Sequence, residues 1–259
     1  MMVNDIIVLN LWQFTSVYLL LIIVLAIMRR CQIKQSKLLF VASLRMTVQL
    51  VLAGLILTYI LGNPHPLFTL AYLCAMTGFA IYTVLSRNKD INLRFKFIVA
   101  VSLAGTGLAV VVFFIMIVVG VSIFNPQYTI PLSGMIIGNA MTGVGLGLRN
   151  FRENLSSHRQ RITALLSVGV SPQRALTPLA NKSLETAMLP TLHSMIGMGI
   201  ISLPGMMTGQ ILSGTAPMTS IMYQIAIIVA ITAVTSMAVF CTLHFGQRTL
   251  YNKRQQMLG

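Results

Sequence analysis

All eighteen lysines and arginines of this 259-residue chain fall into four segments, 29–45, 87–96, 149–182 and 248–254. The stretches between them, 1–28, 46–86, 97–148 and 183–247, contain neither residue. Apolar runs near or above ~18 residues are long enough to cross a bilayer as helices. Cations gathered at alternate ends of such runs mark the cytoplasmic loops. The pattern therefore predicts an all-α, polytopic membrane protein of the cell membrane, either a bacterial inner membrane or a plasma membrane. Only 8% of the residues are charged, against about 25% in a soluble domain. The net charge of +14 is thus a topology signal and a means of holding anionic lipid heads, not a nucleic-acid footprint.

Seven spans are expected, at about 6–28, 38–61, 67–86, 97–120, 131–148, 190–213 and 219–245. The basic clusters place the N-terminus outside and the C-terminus inside. Residues 6–28 exceed a signal-peptide core and are followed, not preceded, by positive charge, so they read as a first helix. Cys31, Cys74 and Cys241 lie far apart with no Cys-x-x-Cys, which argues against structural disulfides.

The longest connection, about 149–189, is basic and cytoplasmic by the same rule. Leu155, Ile162, Leu165 and Leu166 share one helical face. Gly169 supplies a helix stop, and Ser171 before Pro172 reads as an N-cap with proline at the first helical position. The segment predicts helix, tight turn, helix, with a kink or early end at Pro178. Such a hairpin can dock a soluble partner. There is no internal repeat and no linker, so residues 1–259 form one predicted domain.

Several chemistries are excluded. No G-x-x-x-x-G-K-[ST] occurs, so the chain does not bind ATP through a P-loop. The four acidic residues, Asp5, Asp90, Glu153 and Glu185, lie outside the deep part of every expected span. That argues against a relay through intramembrane carboxylates. No hydrolase triad or zinc-ligand spacing appears, so the chain is not expected to be an enzyme.

What remains is a set of candidates for a substrate path. The fifth span, PLSGMIIGNAMTGVGLGLRN, places Gly134, Gly138 and Thr142 on one small-residue face beside Asn139. Arg45 lies some seven residues into the second span, with Gln49 one turn further on the same face. His193 opens the sixth span. The run SLPGMMTGQ contains Pro204, Gly205, Met206, Met207, Gly209 and Gln210. Pro204 cannot donate a backbone hydrogen bond and crowds the carbonyl four residues back. A break there frees main-chain oxygens, as in the discontinuous helices of transporters. Thioethers suit soft metals such as Cu(I), and methionine is also a pliant packing residue.

GMIIGNAM (134–141) and SLPGMMTGQILSG (202–214), followed by YQI (223–225), resemble the family of FetB-type ABC transporter permeases, which includes a bacterial iron exporter and plant aluminium-resistance permeases. The resemblance covers nearly the whole chain, Arg45 and Gln49 included. It implies a permease that exports iron or a related metal as a homodimer, with a separate ABC ATPase subunit binding ATP and Mg; no cofactor is expected in this chain. On that resemblance Gly169, Ser171 and Pro172 would form the ATPase-coupling turn. Two positions depart from the family pattern: His193, where Asn or Asp is usual, and Ala216, where an acidic residue precedes the proline. Iron prefers harder ligands than thioether, so Met206 and Met207 would line a soft wall instead of binding it. The alternative reading is a channel or secondary carrier for a metal or small organic solute, needing no ATPase.

Overall fold

A computed structural model describes residues 10–33, 35–88 and 91–251. Helices account for nearly all of them. α1 (Leu11–Ser16) and α2 (Tyr18–Arg30) are followed by α3 (Ser36–Gly62) and α4 (Pro66–Arg87). α5 (Leu93–Phe113) continues as a π-helical turn over Phe114–Val119. α6 (Pro126–Ser157), α7 (Arg159–Ser167), α8 (Pro172–Gly197), α9 (Gly205–Leu212) and α10 (Pro217–Gly246) complete the order.

Among the described residues, six helical segments are long and apolar enough to cross a membrane: Leu11–Arg30, Ser36–Gly62, Pro66–Arg87, Leu93–Val119, Pro126–Ser157 and Pro217–Thr249. The sixth expected span, 190–213, is not one helix. α8 enters it from the N-terminal side and stops at Gly197, and α9 begins only at Gly205. The start of the first expected span, residues 6–9, lies outside the described residues. α6 also outruns its expected limits at both ends. Asn125 caps it through the Gln127 amide, with Pro126 at the first helical position, and it runs on to Ser157.

The chain divides into two compact units. The first takes in the chain to Pro64 together with Leu212–Thr215; the second takes in His65–Ile211 and the chain from Ala216 on. In the first, α2 and α3 pack along an apolar groove lined by Tyr18, Leu21, Met46 and Leu50. The hydroxyls of Tyr18 and Thr47 bond across it.

In the second unit α6 and α10 form the centre, with α4, α5 and α8 packed around them. Half of the most apolar stretch of α6 is buried, compared with none in α3. Of the expected small face on α6, Gly134 makes a close contact, a Cβ there lying 2.9 Å from Met76 Cε of α4, but the approach to α10 is made at other glycines. Gly138 has open space beside it, whereas a Cβ on Gly143 would collide with Thr235 and one on Gly147 would lie 2.8 Å from Val239 Cγ1. Gly143 and Gly147 are thus the spaced pair that lets α6 approach α10.

The hairpin of α7 and α8 is built as expected at its turn. Val170 N–H donates to the Leu165 carbonyl and Gly169 N–H to the Leu166 carbonyl, both at 3.0 Å. Gly169 has φ of +88°. This is a Schellman stop, with Val170 and Leu165 both on the small core around Ile162 and Leu176. Two details differ. Ser171 holds the N-cap position of α8, but its side chain makes no capping bond. Pro178 does not end the helix, because α8 runs through Pro178 and Pro190 to Gly197.

Candidate functional site

α6, α8 and α10 enclose a small cavity of about 100 Å³. Asn139 and Thr142 reach it from α6, Pro190, Thr191 and Ser194 from α8, and Thr235 from α10. Pro190 carries no N–H, so the Thr186 carbonyl lacks the donor that another residue at 190 would give. Within the cavity wall three side chains already spend a donor proton on their own helix. Asn139 Nδ2 donates to the Met135 carbonyl at 2.8 Å, Thr142 to Gly138 at 3.0 Å and Ser194 to Pro190 at 2.9 Å. Side chains that donate to their own helix leave oxygen lone pairs outward, as acceptors. Thr235 is 1% exposed and its Oγ1 has no hydrogen-bond partner. The wall is therefore rich in oxygen acceptors, which suits a hard cation or its hydration water.

The neighbouring sulfurs are already engaged. Ser236 donates to Met188 Sδ at 3.0 Å, Thr232 to Met195 Sδ at 3.4 Å and the Gln224 amide to Met198 Sδ at 3.8 Å. These weak bonds tie α8 to α10 along the flank of the cavity.

The end of α8 lies one turn beyond Ser194. Gly199 takes φ of +83°. Ile201 and Ser202 N–H both donate to the Gly197 carbonyl, and Gly199 N–H donates to the Ser202 carbonyl at 3.0 Å. No backbone N–H among the described residues donates to the carbonyls of Met198, Gly199, Ile200 or Ile201. Ile200 and Ile201 are 91% and 85% exposed. Pro204 sits after this loop and not at its centre. Its carbonyl accepts from Thr208 N–H at 2.9 Å, which starts α9. The break expected at Pro204 is thus set by the tight turn at Gly199, with Pro204 and Gly205 opening the following helix.

The expected site residues are therefore dispersed. Asn139 lines the cavity. His193 is an exposed α8 residue that does not line it. Met207 is buried and Met206 packs against the main core, so both fill space. Gly205, Gly209 and Gln210 lie on α9, and Arg45 and Gln49 are exposed on α3 of the first unit. Among the described residues no three His, Cys, Asp or Glu side chains come close enough to hold a metal ion. Thr191, Ser194 and Thr235 line the cavity yet leave no mark in the sequence, since threonines and serines at ordinary helical positions recur along α3, α4 and α6.

A profile of the family described as "Uncharacterised protein family (UPF0014)" matches residues 11–251. The chain is 34% identical over 216 residues to the "Probable iron export permease protein FetB" of Escherichia coli (strain K12), covering 83% of this chain and 82% of that protein. It is 30% identical to the "UPF0014 membrane protein YjkA" of Bacillus subtilis (strain 168), covering 78% and 79%. It is 31% identical to "Protein ALUMINUM SENSITIVE 3" of Arabidopsis thaliana, covering 71% and 66%. No solved structure matches significantly. The chain belongs to the UPF0014 family and is a multi-pass membrane protein.

Proposed function

We propose that this UPF0014 member is the membrane permease subunit of an ATP-driven exporter of iron or a related metal. Two copies pair with two separate ABC ATPase subunits, which bind ATP and Mg. The observation that carries this reading is the oxygen-rich end of α8. A cavity walled by Asn139, Thr191, Ser194 and Thr235 is followed one turn later by four carbonyls that no backbone N–H among the described residues meets. Irregular backbone at membrane depth is tolerated where protein buries it or water reaches it, and discontinuous helices use it to bind ions. Hard oxygen donors fit iron better than thioether does. The printed names of the relatives, an iron export permease and an aluminium-sensitivity protein, favour the same class of cargo.

The hairpin at 159–172 is the element that meets the ATPase, with Gly169, Ser171 and Pro172 at its turn. That requires it to face the cytoplasm. A cysteine placed at exposed Ser156, with the native cysteines removed, then reacts only with reagent on the cytoplasmic side. Labelling from outside intact cells overturns the orientation.

The deciding experiment is iron uptake into inverted vesicles containing this chain and its ATPase. Uptake requires both chains and ATP, and Asn139→Leu reduces it to background. Equal uptake without ATP or ATPase assigns the chain to the channel or secondary-carrier class.

A further inference from the structure

α4 and α6 diverge at the ends where their arginines gather, leaving a cavity of about 480 Å³. Arg87, the last residue of α4, lines it together with Arg149 and Arg152, which lie three residues apart on α6. The nearby carboxylate, Glu153, bonds Arg149 Nε at 2.9 Å in an exposed pair. No carboxylate answers Arg87 among the described residues. The chemistry of the floor matters as much as the charge. Gly145 lines the cavity, and a Cβ there would meet nothing within 4 Å. Asn88 is buried at the end of α4, where its Nδ2 donates to the Val84 carbonyl at 2.9 Å and its N–H to Leu85 at 3.1 Å. Those two bonds cover carbonyls that would otherwise oppose an anion at a helix C-terminus.

We propose that this cavity binds a phosphate group, clamped by Arg87, Arg149 and Arg152 above the open floor at Gly145. Guanidinium groups bind phosphate oxygens through paired N–H donors. The bound anion adds to the Glu153 carboxylate, which already pairs Arg149, in offsetting the positive charge at this end of the two helices. Arg87 closes a helix of membrane-crossing length, and Arg149 and Arg152 lie in the last turns of another. Basic pockets between such helices take the headgroups of anionic phospholipids. The same chemistry accepts a soluble phosphate, so the source is decided by the measurement. The assignment does not depend on what the protein transports.

The test is thermal unfolding of the purified full chain in detergent, with phosphatidylglycerol, phosphatidylcholine or inorganic phosphate added. Phosphatidylglycerol raises the midpoint and phosphatidylcholine does not. Arg87→Gln weakens apparent affinity by about fivefold, the usual worth of one arginine near an anionic lipid. Gly145→Leu fills the floor and removes the shift without changing charge. Arg161→Gln, an exposed arginine on α7 outside the cavity, keeps the shift. A rise with inorganic phosphate alone that Arg87→Gln weakens assigns the cavity to a soluble phosphate. Equal rises with both lipids, a shift that Arg87→Gln leaves unchanged, or no shift with any anion overturns the proposal.

Discussion

α8 is bounded by two turns built from the same device. At its start, Gly169 in a left-handed conformation closes α7, and Pro172 opens the new helix. At its end, Gly199 in a left-handed conformation closes α8, and Pro204 and Gly205 open α9. The difference lies in what each turn does with its backbone and its apolar side chains. The first satisfies the carbonyls of Leu165 and Leu166 and folds Val170 onto a core. The second leaves four successive carbonyls without a backbone donor among the described residues and turns Ile200 and Ile201 outward. One turn is complete in itself. The other is tolerable in a bilayer only with something further against it, which is where a transport function would use it.

The largest effect is expected at the second turn. Gly199→Val places a β-branched side chain at φ +83°, where only glycine is comfortable. The carbonyls from Met198 to Ile201 shift, and transport falls to the ATP-free background while the protein still inserts. In contrast, Pro204→Ala combined with Gly205→Ala leaves the turn in place, because both residues lie beyond it, and transport is largely retained. Uptake assays on both variants decide the matter. Lost transport with increased helix content in the double variant would return the break to Pro204.

Gly169→Val applies the same strain to the complete turn, about 1–3 kcal/mol. The stop is local, and a Cβ at Gly169 meets nothing within 4 Å. The variant therefore lowers the unfolding midpoint but keeps its cavity. On the proposed function, an ATPase subunit paired with this variant continues to hydrolyse ATP while metal uptake falls several-fold. Full coupling in this variant takes the hairpin out of the mechanism.

This contrast also explains which parts of the fold were legible. The spans follow from charge segregation, because lysine and arginine cannot cheaply sit at bilayer depth. The turn at Gly169 follows from Gly, Ser and Pro standing within four residues between two amphipathic stretches. That the sixth span is broken follows from Pro204 and Gly205, but the placement of the break at Gly199 did not, because a proline opening a helix and a proline breaking one look alike in a sequence. Neither did the cavity: Thr191 and Ser194 bring no unusual spacing, and Thr235 is identified only by the close approach at Gly143. Gly138 and Gly143 are equally small, and only packing tells which one touches α10.

A smaller effect separates oxygen from sulfur near the second turn. Met206→Leu and Met207→Leu preserve volume, at a usual cost below about 1.5 kcal/mol each. Both side chains pack against the protein interior, so stability drops slightly and iron uptake stays near the native rate. A collapse of uptake in folded Met207→Leu protein would make the thioether a ligand.

The smallest effects concern how proline-led helices are capped. Ser171 and Ala216 occupy equivalent positions, each just before a proline that begins a long helix. Neither side chain makes a capping bond. Replacing a working serine cap by alanine costs about 1 kcal/mol. Ser171→Ala has no such bond to lose and should cost only a few tenths. Ala216→Asp does the reverse. It places an acceptor at the free N–H groups of α10 and a negative charge at the positive end of its dipole, together worth about 1 kcal/mol. The backbone already has the extended geometry a cap requires, with ψ of 133° at Ala216. Thermal unfolding should therefore rise for Ala216→Asp with transport unchanged, since α10 meets the cavity at Thr235, far along the helix from its first turn. A drop in transport at raised stability would instead place the start of α10 on the path.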